Sequence, residues 1–146
     1  MYFVDRKKIN EHLVYMNDLL RTFETISFPE NRIEVLAAER IGHMLIESMM
    51  DVGNMIIDGF IMRDPGSFED ILDILIDEKV IPEEEALALK NVVNLRKSLV
   101  QEYPHSDIQK TYDTIQQHLP ELSGFPVHVK RYLEDELGPV SAFLPE

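Results

Sequence analysis

The feature that most constrains this chain is one long segment, from Pro29 to about Met62, whose apolar residues recur at helical spacing on more than one face. Ile33, Leu36, Ile41, Leu45, Met49, Val52 and Ile56 mark one stripe, and Ala37, Met44, Ile46, Met50, Ile57 and Phe60 widen it. A helix with apolar residues around so much of its circumference needs cover on two sides. It sits either centrally in a bundle or between its own core and a second subunit. Four of the 7 Met residues (Met44, Met49, Met50 and Met55) fall in this segment, where thioether side chains fill irregular core gaps.

The rest of the chain reads as further helices. Ile9, Leu13, Met16, Leu20 and Phe23 form a single stripe over residues 5 to 26, which Phe28-Pro29 interrupts. Arg63-Asp64-Pro65-Gly66 is a turn cluster. Ser67 with Asp70 then resembles a capping box opening a short helix with Phe68, Ile71, Leu72, Leu75 and Ile76 inward. A fourth helix is predicted from Glu83 to about Tyr103, with Ala86, Leu89, Val92, Val93, Leu99 and Val100 buried, and Tyr103-Pro104 stops it. Asp107 suits the N-cap of a fifth. Pro120 and Ser123-Gly124 predict a break before a last short helix, and Gly138-Pro139 closes that helix ahead of a mobile tail from about residue 138. No period-two strand, internal repeat or low-complexity run interrupts this pattern. The fold class is therefore an all-α helical bundle, and 146 residues at 45% hydrophobic suffice for one domain spanning 1–146.

Charge and composition narrow the chemistry. With 14 Lys+Arg against 27 Asp+Glu the net charge is -13, so nucleic-acid binding would need a local basic patch. Lys90, Arg96 and Lys97 lie along one predicted helix and could form such a seam. Zero Cys removes thiol nucleophiles, disulfides and Cys-ligated metals, consistent with a reducing cytoplasm. Neither an export signal nor a membrane span is read, so a cytoplasmic protein with no membrane role is expected. The Gly residues are scattered singly and form no phosphate loop. The 5 His (His12, His43, His105, His118 and His128) are never four apart, so no metal pair and no cofactor is predicted. Glu39, Glu47 and Asp51 on the long helix are an alternative metal set, but helix-surface carboxylates at such spacing are common.

What stands out is Val92-Val93-Asn94-Leu95-Arg96-Lys97-Ser98-Leu99-Val100-Gln101-Glu102-Tyr103. This block resembles that of the HepT-like family in the HEPN superfamily, whose ribonuclease members carry Arg, four residues, His, one residue and Tyr. Arg96 matches the Arg, Tyr103 the Tyr, Gln101 stands in the His position, and Lys97 stands where many members have Asn. Ala38-Glu39-Arg40 with His43, Glu47 and Asp51-Val52-Gly53-Asn54 looks like the family's long second helix.

The resemblance implies a HEPN-like bundle with that helix at a homodimer interface. It also implies a metal-independent endoribonuclease of the kind found as type VII toxins. Arg96, Gln101 and Tyr103 would be the site residues, and Tyr103 the acceptor of AMP from a MntA-like nucleotidyltransferase antitoxin. Arg can clamp a phosphodiester, whereas a carboxamide at 101 cannot exchange protons near neutral pH. The site then reads as attenuated or inactive toward RNA, with a noncatalytic dimeric module binding nucleotide, RNA or a nucleotidyltransferase as the alternative. His105, beyond Pro104, is a poorly aligned substitute. On an ideal α-helix Arg96 and Tyr103 share a face and position 101 sits to its side. The bland reading of Arg96 is an ion pair with an acidic residue, and that of Tyr103 a helix-end ring on the core.

Overall fold

In the computed structural model, which describes residues 3–138, every regular element is helical. The α-helices are α1 (Arg6–Glu24), α2 (Arg32–Gly59), α3 (Phe68–Asp77), α4 (Ala86–Val93), α5 (Ile108–Gln117) and α6 (Leu119–Leu137). The tail expected beyond Gly138 lies outside the described residues.

Local chemistry sets the helix starts. Asp5, Asn31, Ser67 and Asp107 each accept a hydrogen bond from the backbone N–H three residues on, which satisfies one orphan donor of α1, α2, α3 and α5 respectively. At α3 the expected capping box forms with a shift of one residue. The Asp70 carboxylate reaches back to the Gly66 N–H (2.8 Å) rather than to Ser67, and also takes both terminal nitrogens of Arg63 (2.8 and 2.9 Å).

The long helix is central. Ala38, Ile41, Leu45, Ile46, Met49, Met50, Val52, Ile56 and Ile57 are all buried, and α1, α3, α5 and the segment after α4 pack around them. Ile46, Met50, Ile57 and Phe60 of its wider apolar face are thus covered within the chain and Met44 is half-buried, while Ile33, Leu36 and Ala37 near its start remain exposed. Contact with α3 is closest at Gly53, where an added Cβ would stand 2.5 Å from Ile71 Cγ2. Gly53→Ala should therefore cost roughly 1–3 kcal/mol through overpacking, read as a lowered urea midpoint.

Two predicted elements differ. The helix expected from Glu83 to Tyr103 is divided into a 3₁₀ turn (Glu83–Glu85), α4, a π-wound turn (Lys97–Gln101) and a second 3₁₀ turn (Tyr103–His105). Ala86, Leu99 and Val100 are only half-buried, as is Ile76 of α3, and Leu95 is the buried residue between Val93 and the π turn. Of the break expected at Pro120 and Ser123-Gly124, the first part is seen, since α5 ends at Gln117 and α6 begins at Leu119, whereas the helix runs on unbroken through Gly124. Pro120 occupies its first turn, where a missing N–H costs nothing, and Leu122, Phe125, Val129 and Leu133 bury one stripe across Gly124 and Pro126. Burial of that stripe outweighs the local breaker signals. α6 ends where Gly138, at a φ of 84°, donates its N–H to the Glu134 carbonyl (2.8 Å).

No helix of the described residues is long and apolar enough to cross a membrane.

Candidate functional site

The site is built around the π turn. Glu102 N–H bonds to the Lys97 carbonyl at 3.0 Å, five residues back, which widens the turn beyond α winding. Residues five apart are then stacked, whereas α winding would rotate them roughly 140° from one another. Arg96 and Gln101 consequently face the same groove, correcting the expectation that position 101 sits to the side. Tyr103 goes the other way. The chain leaves helical geometry at Glu102 (φ -109°, ψ 32°), between the π turn and the second 3₁₀ turn, and Tyr103 is 69% exposed and lines neither hollow of that groove.

Arg96 is held on two sides. Its Nε donates to Glu47 Oε1 of α2 at 2.7 Å, and its guanidinium carbon lies 4.5 Å from the centroid of the Phe68 ring. Among the described residues its terminal nitrogens make no hydrogen bond. The ion-pair reading of Arg96 is thus correct for Nε and leaves the outer donors of the fork open. His43 Nε2 lies 3.4 Å from the same Glu47 oxygen.

Two adjoining hollows flank this arginine and share Ser67, Phe68, Arg96 and Gln101. One, of about 290 Å³, is walled by Glu69, Val93, Asn94 and Lys97; the other, of about 510 Å³, by Asn54, Pro65, Gly66 and Ile71. No histidine lines either hollow. Phe68, expected in the core, is 37% exposed, because as the first residue of α3 it precedes the buried stripe of Ile71, Leu72 and Leu75. Sequence reasoning missed it, although an aromatic placed directly after an N-cap serine is the available signal.

The remaining candidates lie elsewhere. Lys90 is engaged by Asp73 at 2.6 Å, whose hydrogen bond raises its pKa above the usual range, so only Arg96 and Lys97 of the expected basic seam line the groove. His105 is exposed in the second 3₁₀ turn. Glu39 accepts from Ser106 Oγ, Glu47 from Arg96, and Asp51 lies 3.9 Å from His12 Nε2. Those three carboxylates therefore point to separate partners, and among the described residues no group of three His, Asp or Glu converges.

The loop that walls the larger hollow is fixed by Asp70. Hydrogen bonds from Arg63 and from the Gly66 N–H hold its carboxyl down at about 2. A depressed carboxyl pKa stabilises the fold above the ordinary value and loses that contribution as pH falls from about 4 through 2. Asp70→Asn should lower stability at neutral pH and flatten the pH dependence across that window, measured by urea unfolding at several pH values.

Fold and motif together define the class: this chain belongs to the HepT-like family, described as Ribonuclease HepT-like, whose match spans residues 9–129. It is 50% identical over 143 residues, 98% of this chain and 99% of the relative, to YutE of Bacillus subtilis (strain 168), described as a candidate RNase. The solved structure of YutE, described as a cytosolic protein of unknown function, superposes with a TM-score of 0.93 over 98% of this chain and 100% of that one. A tri-AMPylated HEPN toxin of Shewanella oneidensis in complex with an MNT antitoxin shares the fold at 18% identity. Its TM-score is 0.75 over 84% of this chain and 96% of that one. A toxin–antitoxin with AMP-PNP does so at 17% identity and 0.73, over 83% and 96%.

Proposed function

We propose that the groove at the π turn holds an RNA phosphodiester and that the chain is an attenuated, metal-independent endoribonuclease relative of type VII toxins. The observation that carries this reading is the posture of Arg96. With Nε fixed by Glu47 and the plane resting on Phe68, its terminal nitrogens are oriented donors for two phosphate oxygens. Gln101 lines the same groove and can donate or accept a hydrogen bond at the ribose or phosphate, but it holds no titratable proton. Cleavage requires removal of a proton from the attacking ribose oxygen and delivery of one to the leaving oxygen. The groove contains no imidazole for either step, which supports attenuation.

A homodimer is part of the proposal, carried over from the family. Tyr103 is its proposed point of control. Its exposed phenol could attack the α-phosphorus of ATP in an antitoxin's site, releasing pyrophosphate and a proton and leaving AMP on the ring oxygen. The tri-AMPylated toxin bound to its MNT antitoxin supports that role by analogy. The noncatalytic alternative, a dimeric module binding nucleotide, RNA or a nucleotidyltransferase partner, is favoured by the same lack of a groove histidine. RNA cleavage in EDTA by the natural chain beside Gln101→His tests the reading, with growth arrest on overexpression as its cellular counterpart. Strong cleavage by the natural chain would end the attenuated assignment.

A further inference from the structure

The two hollows around Arg96 differ in chemistry. The smaller carries the charge, with Lys97 and Glu69 beside Arg96 and the Asn94 amide already donating to Glu69 at 3.2 Å. The larger is walled by apolar Pro65, Phe68 and Ile71, with carboxamides from Asn54 and Gln101 at its margin. Carboxamides both donate and accept, so they match the mixed edge of a nucleobase, and an aromatic ring offers the stacking surface such a base seeks. Phosphate, ring and amides therefore lie within one groove.

We propose that the larger hollow is a nucleobase subsite, in which one unpaired base of the RNA stacks on the face of Phe68 that Arg96 does not cover while the adjoining phosphate is held by Arg96. This rests on the RNA reading above and adds what it leaves open, a demand for single-stranded RNA with a base at one defined position. The hollow is a shallow depression open to solvent, which suits a base lying against its wall with the ribose outside. Its wall is tied by hydrogen bonds, since Asp70 joins Gly66 and Arg63 and Ser67 caps α3 directly before Phe68. An aromatic ring on a fixed helix start is a preorganised platform, so little ordering cost is incurred on binding. A base paired in a duplex presents no free face to it, which excludes double-stranded RNA from the subsite.

The test uses a short cleavage-resistant 2′-O-methyl oligouridylate with a single 2-aminopurine, and the same oligonucleotide with an abasic residue in its place. The natural chain should quench the 2-aminopurine and bind it more tightly than the abasic probe, by roughly 5- to 150-fold. Phe68→Leu should abolish the quenching and the preference, Phe68→Tyr should keep both, and thermal unfolding should show each variant folded. Because Phe68 also supports Arg96, affinity for the abasic probe separates loss of phosphate binding from loss of stacking. Equal affinity for the two probes with no quenching overturns the subsite. If binding still depends on Arg96 in that case, the RNA reading stands. If neither probe binds, both fall.

Discussion

Exchange of Gln101 for His is expected to raise EDTA-resistant RNA cleavage by roughly 10²–10⁴-fold, the range that a positioned general acid–base group contributes. The π turn is the reason for expecting so large a gain from one side chain. It already aims position 101 into the groove that Arg96 lines, so an imidazole placed there would need no rearrangement of the backbone to reach a phosphate held by the guanidinium. The new activity should follow an ionisation near the ordinary imidazole value of about 6.5. Gln101→Asn, which keeps a carboxamide, should give no gain. A Gln101→His variant that binds RNA but cleaves no faster than the natural chain would show that the groove does not align a reacting phosphate.

Removing Arg96 from that gain-of-function background should cost roughly 10²–10³-fold in cleavage, as loss of one preorganised donor to transition-state charge does. Arg96→Lys should recover only part of it, since an ammonium cannot make the paired contacts of the guanidinium fork. The loss should not come from unfolding. Glu47, the partner left behind, has 27% of its side chain exposed and so can be rehydrated; the several-kcal/mol penalty typical of a fully buried orphaned charge does not apply. Thermal unfolding of Arg96→Ala close to that of the parent, together with lost cleavage and lost RNA binding, is the expected pattern. Retained cleavage would place the chemistry elsewhere.

Much of the fold was legible because it follows from periodicity and caps. The five-residue stripe of α1 is wholly buried, Ser67 and Asp107 cap the helices they were expected to cap, and the broad apolar coverage of α2 corresponds to a central helix. The difference in α6 has a tertiary origin that local signals do not carry. Gly124 looks like a breaker, yet the stripe from Leu122 to Leu133 buries continuously and carries the helix through it, while the break that Pro120 signals falls at His118, between α5 and α6.

The motif residues could be found by spacing, but their geometry could not. An α-helical projection pairs Arg96 with Tyr103, whereas π winding followed by the irregular backbone at Glu102 pairs Arg96 with Gln101. Glu47 was visible only as one of several helix-surface carboxylates, because its partner lies 49 residues further on. Phe68 was read as core, since a pattern of apolar spacing does not distinguish the first turn of a helix from its middle.

The π turn also bears on how this groove can change through descent. It is the backbone hydrogen bond from Glu102 to Lys97, and not the side chain at 101, that turns this exposed position toward the groove. Glutamine and histidine codons differ only at their third base. A single transversion therefore exchanges the chemistry at a position whose aim is fixed by the main chain, and the reverse exchange is equally short. An exchange of this kind leaves the scaffold intact and can be undone within one mutational step.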